Sequence, residues 1–203
     1  MMKVGVLASG GGSNLQALID AEDRGELGQA RLAAVGVNVA GCGALARARQ
    51  AGRATFVVEH GAYATREAFD QALIAALHGH GIELVVLAGF MRILTPAFLA
   101  AFPGRVVNIH PSLLPAFPGV NAQAQAFRYG AKVSGCTVHF VEAGVDSGPI
   151  VAQSVVQVLE SDDEESLRAR ILAEEHKLLP SVVRMISQGR IDVVGRRVRV
   201  APP

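Results

Sequence analysis

Asn108 and His110 are separated only by Ile109, at the end of the β-branched run Arg105–Ile109. On a strand that spacing puts both polar side chains on one face. Asp146 lies farther along in a short loop, Gly144, Val145, Asp146, Ser147, Gly148, of the kind that can carry a carboxylate back over a sheet edge. An amide donor, an imidazole that can be charged near neutrality and a carboxylate suit a reaction in which negative charge develops on a carbonyl oxygen while a proton moves. Structural hydrogen bonding explains a distant His–Asp pair at least as often. The apolar frame around this one, fixed by Pro111, Pro115 and Pro118, raises the odds of a site.

A second group is Gly10, Gly11 and Gly12, between an apolar strand and a helix that opens with Ser13 and Asn14. Backbone N–H groups and the positive end of a helix dipole make such a loop an anion site, sized for a phosphate. It is not a dinucleotide fingerprint, because the third glycine position falls on Leu15 and the second strand ends near Asn38 rather than at an acid. It lacks the Gly-Lys-Ser/Thr of an ATP-type loop. Ser13 and Gln16 also have capping-box spacing, which alone would explain Ser13; a cap and a phosphate site can coexist.

These groups need a scaffold, and the chain supplies an alternation. Strands are expected at Lys3–Ala8, Arg31–Val39, Ala54–Val58, Leu84–Ala88 and Arg105–Ile109, with helices at Asn14–Arg24, Ala44–Gln50 and Thr65–His78. The Leu84–Ala88 strand is almost wholly apolar, as when helices cover both faces of a parallel sheet. The expected fold is α/β: a Rossmann-like, mostly parallel twisted sheet with helices on both faces. After the loop His110–Gly119 come a short helix, Gln123–Tyr129, and strands Gly135–Val141 and Ile150–Val158, read as an antiparallel C-terminal extension joined by the loop Glu142–Pro149. A long helix from Asp163, capped by Ser161 or Asp162, is expected to break or kink at Pro180, with a last helical stretch to Gln188 and a hairpin in Ile191–Val200.

Composition narrows the function classes. With 203 residues, 50% hydrophobic, and 19 basic against 18 acidic side chains, the chain reads as one compact domain without the basic surplus of a nucleic-acid binder. The longest apolar run, Leu84–Met91, is far too short to span a bilayer and no signal segment is evident, so no membrane role and a cytoplasmic location are expected. Cys42 and Cys136 read as two buried thiols rather than a disulfide framework. His60, His78, His80, His139 and His176 show no ligand spacing, so no metal is expected.

The motifs GGGSNLQ (Gly10–Gln16), LAGFMRIL (Leu87–Leu94), VNIHPSLLP (Val107–Pro115), GCTVHFV (Gly135–Val141) and GVDSGPI (Gly144–Ile150) together resemble the phosphoribosylglycinamide formyltransferase family, folate-dependent enzymes of purine synthesis. The resemblance runs from about Lys3 to Pro180. HPSLLP and DSGPI are shared with other formyl-folate transferases and hydrolases, which remain the alternative; GSN after the first strand is the discriminating piece.

The resemblance implies a single formyltransferase-fold domain over 1–203, in which 1–109 is the phosphate- and nucleotide-binding half and 110–203 the folate loop and C-terminal half. It implies transfer of the formyl group of 10-formyltetrahydrofolate to the amine of glycinamide ribonucleotide, with small-molecule partners, no metal, and a monomer or homodimer. Gly12, Ser13 and Asn14 would hold the phosphate, and Leu172, Ala173, Glu174 and Glu175 would lie near the ribose and glycinamide. Arg66, Met91, Arg92, Ile93, Leu94, Asn108 and the loop Glu142, Ala143, Gly144, Val145, Asp146 would bind the folate. Asn108 and His110 would stabilise the oxyanion, with Asp146 holding His110 and favouring its charged form. Leu114–Pro115 is a candidate cis peptide. The turn Val120, Asn121, Ala122, Gln123 departs from the family, which often has a His there, so it is assigned no catalytic role.

Overall fold

Strand and helix alternate through the first half of the chain in the computed structural model, which describes residues 1–202. In order, β1 (Met2–Ala8), α1 (Ser13–Asp23), β2 (Ala30–Val37), α2 (Gly43–Gln50), β3 (Thr55–Val57), α3 (Arg66–Gly79), β4 (Leu84–Leu87), α4 (Pro96–Ala101) and β5 (Val106–His110) precede α5 (Ala122–Tyr129). Then come β6 (Val133–Phe140), β7 (Ile150–Gln157), α6 (Glu164–Ser187), β8 (Ile191–Val194) and β9 (Arg197–Val200). The main sheet has seven strands in the order β3-β2-β1-β4-β5-β6-β7, and β8 and β9 form a separate hairpin. β1 to β5 pair in parallel, while β6 and β7 add antiparallel.

Period-two geometry explains the double coverage. In β4, Leu84 and Val86 join the core under α1 and α6, whereas Val85 and Leu87 join the core under α3 and α4. Cutting a fully buried contact such as Leu73 to Ala removes about 2–5 kcal/mol. The strand order reverses between β1 and β4, and at such a point the loops leave in opposite directions and open a crevice at the carboxyl ends.

Four expectations need correction. α4 was not foreseen: at six residues it carries too little periodicity, although Thr95 caps it and Pro96 opens it. α6 continues through Pro180 rather than ending there, because Leu179, Val182 and Val183 around it are fully buried, and that packing outweighs one missing backbone bond. Its cap is Asp163, whose side chain accepts from the Ser166 N–H in a capping box, rather than Ser161 or Asp162. Of the two thiols, Cys136 is fully buried, which pushes it up to about 12, but Cys42, just before α2, is only half-buried.

Candidate active site

The crevice is a cavity of about 810 Å³ along the carboxyl ends of β1, β4 and β5. Asn14, in the first turn of α1, lines one end; Gly12 and Ser13 do not, and Ser13 lies with Arg47 and His176 on an adjoining, separate pocket behind the glycine loop. Gly12 has a left-handed backbone (φ 75°) and sits directly against α2, so a Cβ there would lie 2.6 Å from the Ala44 Cα. The Ala44 N–H donates to Gly10 O at 2.9 Å, and Arg47 Nε donates to Gly11 O at 2.9 Å. These bonds fasten the loop through its carbonyls. The first-turn N–H groups of α1 have no partner within the helix, and no side chain caps them. Ser13 is therefore the first helical residue and not a cap. The expected capping box is absent because Gly12, not Ser13, is the N-cap; Gln16 turns instead to Asp20, with Nε2 to Oδ1 at 2.7 Å.

Asn14 reaches from this turn into the cavity, where its Nδ2 donates to Glu175 Oε2 at 2.6 Å. Its Oδ1 is buried and has no partner among the described residues. Burial pushes the Glu175 carboxyl above the usual range, with Asn14 only partly offsetting that cost. Glu175 shares an inward stripe of α6 with Ile171 and Leu179, four residues to either side. Leu172, Ala173 and Glu174 do not line the cavity. Glu174 instead accepts from Ser154 and Lys177, because each helical residue turns by about 100° from the last. Arg168, two turns before Glu175, does line the cavity, and neither it nor Arg47 was anticipated.

At the other end Asn108, His110 and Asp146 come together as expected, with one addition. The antiparallel register of β5 and β6 sets Asn108 opposite His139, and Asn108 Nδ2 lies 3.2 Å from His139 Nε2. His139 Nδ1 donates to Phe140 O at 2.8 Å, which directs Nε2 towards Asn108 and Asp146. Asp146 stands between two imidazoles: its Oδ2 is 3.3 Å from His110 Nδ1 and its Oδ1 is 3.6 Å from His139 Nε2. The Gly119 N–H adds a bond to Oδ2 at 2.8 Å. Burial opposes ionisation of Asp146, but the His139 bond, the Gly119 amide and the two rings hold it below the usual carboxylate range. Asp146 has φ 48°, a left-handed conformation uncommon for a residue with a Cβ, which the surrounding bonds sustain.

The loop after His110 turns back on it. His110 Nε2 donates to Phe117 O at 2.9 Å, and Thr137 Oγ1 donates to Ser112 O at 2.7 Å. Leu114–Pro115 is cis. Val120, Asn121 and Gln123, the turn that departs from the family pattern, form part of the cavity wall.

Met91, Arg92, Ile93 and Leu94 form the facing wall, with Glu142, Gly144 and Val145 beside Asp146. Arg66 and Ala143 are not on the wall. Arg66 lies behind it, and its Nη2 donates to Ile93 O at 2.9 Å. Among the described residues no cluster of three His, Cys, Asp or Glu could hold a metal ion, and no helix is long and apolar enough to cross a membrane.

The geometry has close counterparts. A phosphoribosylglycinamide formyltransferase of Mycobacterium tuberculosis is 49% identical over 193 residues, 94% of this chain and 87% of that protein. The trifunctional purine biosynthetic protein adenosine-3 of Chironomus tentans is 47% identical over 190 residues, but this chain spans only 14% of its length. A crystal structure of glycinamide ribonucleotide transformylase 1 from Symbiobacterium toebii superposes with a TM-score of 0.97 at 51% identity, covering 100% of this chain and 95% of that one. The formyl transferase family profile matches residues 2–183, and the chain belongs to that family.

Proposed function

We propose that this chain transfers the formyl group of 10-formyltetrahydrofolate to the amine of 5'-phosphoribosylglycinamide, giving N-formylglycinamide ribonucleotide and tetrahydrofolate in purine synthesis. The observation that carries the reading is one cavity with Asn14, from the uncapped first turn of α1, and a buried Glu175 at one end and Asn108, His110 and Asp146 at the other. The first suits a phosphate and the polar groups attached to it; the second suits an acyl carbon under attack.

In this reading the phosphate meets the first-turn N–H groups of α1 from Gly12 to Asn14, with Arg47 close by. The unpartnered Asn14 Oδ1 and the Glu175 carboxyl await donors, which the ribose hydroxyls and the glycinamide amine supply. The folate stands against Met91–Leu94 and the 142–146 loop. The neutral amine nitrogen attacks the formyl carbon, and the new C–N bond pushes the carbonyl electrons onto oxygen. Asn108 Nδ2 and the His110 ring stabilise that oxyanion. As the tetrahedral centre collapses, the bond to folate N10 breaks. One proton leaves the attacking nitrogen and one arrives at N10, carried by His110 or by a water held at Asp146. The chain's two halves both serve both substrates: Glu175 meets Asn14, and the 142–146 loop faces 91–94. Two water-soluble substrates and two free thiols suit a cytoplasmic setting.

The test is formyl transfer from 10-formyltetrahydrofolate, followed by folate absorbance, with and without glycinamide ribonucleotide. Turnover that requires the ribonucleotide supports the reading. Folate release without it would make the chain a hydrolase, and no reaction despite tight folate binding would point to another formyl acceptor.

A further inference from the structure

The 89–95 segment carries no helix or strand bonds of its own, yet it forms the folate-facing wall in the reading above, on which this inference rests. Phe90 and Leu94 anchor its ends in the core, but the stretch between them has no buried side chain. Met91 and Ile93 are 65% and 59% exposed, and apolar groups held open at a cavity mouth tend to collapse inward unless the backbone is fixed.

The backbone is fixed from two sides. From the end of β1, the Ser9 N–H donates to Gly89 O at 3.0 Å, and Ser9 Oγ accepts from the Met91 N–H at 2.8 Å. The Ser9 hydroxyl spends its own proton on Asn38 Oδ1 at 2.6 Å, so it cannot rotate away from Met91. Asn38 is 3% exposed and is tied in turn to His60 Nδ1 at 3.2 Å. From α3, Asp70 Oδ2 accepts from the Thr95 N–H at 2.6 Å. Asp70 is 1% exposed and has no ion-pair partner among the described residues, so its carboxyl group is buried here against a backbone amide at the start of α4.

We propose that Ser9 and Asp70 are positioning residues for the formyl folate, clamping the 89–95 wall open before the folate arrives. Neither touches the cavity. Their effect is to preorganise backbone groups that would otherwise have to be ordered on binding.

The experiment compares wild type with Ser9→Ala, Ser9→Thr and Asp70→Asn. Anaerobic titration calorimetry uses tetrahydrofolate as the probe, and steady-state transfer gives KM for each substrate and kcat. Ser9→Ala is expected to weaken tetrahydrofolate and raise the KM for 10-formyltetrahydrofolate about five- to tenfold. Its kcat and its KM for the ribonucleotide should stay within about twofold. Ser9→Thr, which keeps the hydroxyl, should behave as wild type, and Asp70→Asn should follow Ser9→Ala. Ser9 is only half-buried, so Ser9→Ala carries the test even if the Asp70 variant does not fold. A folded Ser9→Ala with unchanged folate affinity, or with equal losses for both substrates that Thr does not rescue, overturns the clamp alone. Wild-type protein that binds no tetrahydrofolate overturns the formyl-folate reading, and the clamp with it.

Discussion

Glu175 and Asp146 are carboxylates sunk into one cavity wall, yet their surroundings push them in opposite directions. Desolvation opposes the charge of both. Glu175 has one neutral donor, Asn14, and stays raised; Asp146 has a backbone amide and two imidazoles, and goes down. Donor count therefore decides the sign, with burial common to both. The Asn108–His110–Asp146 end is bonded up within the protein, whereas the Asn14–Glu175 end has one buried acceptor left over, Asn14 Oδ1. In the proposed reading, the first end is prepared for a transition state and the second for a ligand.

The contrast can be broken most severely at its preorganised end. His110→Ala is expected to lower kcat about 10²–10³-fold, as loss of an oxyanion donor does, while calorimetric affinities for both substrates hold. Retained turnover would remove His110 from the chemistry. Asp146→Asn should cost about 10² in kcat by releasing both rings. It should also alter acid stability: folding lowers the Asp146 pKa, so its contribution is complete above about 3.9 and is lost as pH falls through the folded value. Urea midpoints taken down through that range should drop less steeply in the variant.

At the other end the sign reverses. The Glu175 pKa is raised in the folded state, so its contribution is fully present below about 4.3 and declines as pH rises through the folded value. Glu175→Gln should raise the ligand-free thermal midpoint at neutral pH, yet increase the ribonucleotide KM about tenfold. A lower midpoint would mean that the carboxylate is better satisfied than its single donor suggests. The smallest effect is expected at Ser13, which caps nothing. Ser13→Ala should change stability by less than about 0.5 kcal/mol, against about 1 kcal/mol for a lost cap, and weaken only the ribonucleotide, about threefold.

The same two ends differ in how far they were legible. The parallel half of the sheet followed from strand–helix alternation, and Asn108 with His110 from period two. His139 was set aside for want of metal spacing; its place opposite Asn108 depends on the β5–β6 register, which a single chain's pattern does not encode. The family resemblance located Glu175 but drew in Leu172, Ala173 and Glu174, which the helix turns elsewhere. Ser9 and Asp70 left no signal, because their partners are main-chain atoms of residues whose identity is irrelevant to the bond. Side chains that face one another leave a pattern of types and spacing; side chains that hold backbone leave none.

Asn14 and Glu175, bonded to each other, are 161 positions apart in the chain. At about 5–20 residues per second on the ribosome, the carboxylate is added many seconds after the amide it will meet. Through that interval the nascent chain holds the glycine loop, and in time Asn108, His110 and Asp146, but α6 has not docked. In the proposed reading, the phosphate cradle is therefore made before the group that would recognise the rest of the ribonucleotide. On that reading, docking of the last long helix onto the sheet is also the step that would let the site tell its substrate from any other small phosphate.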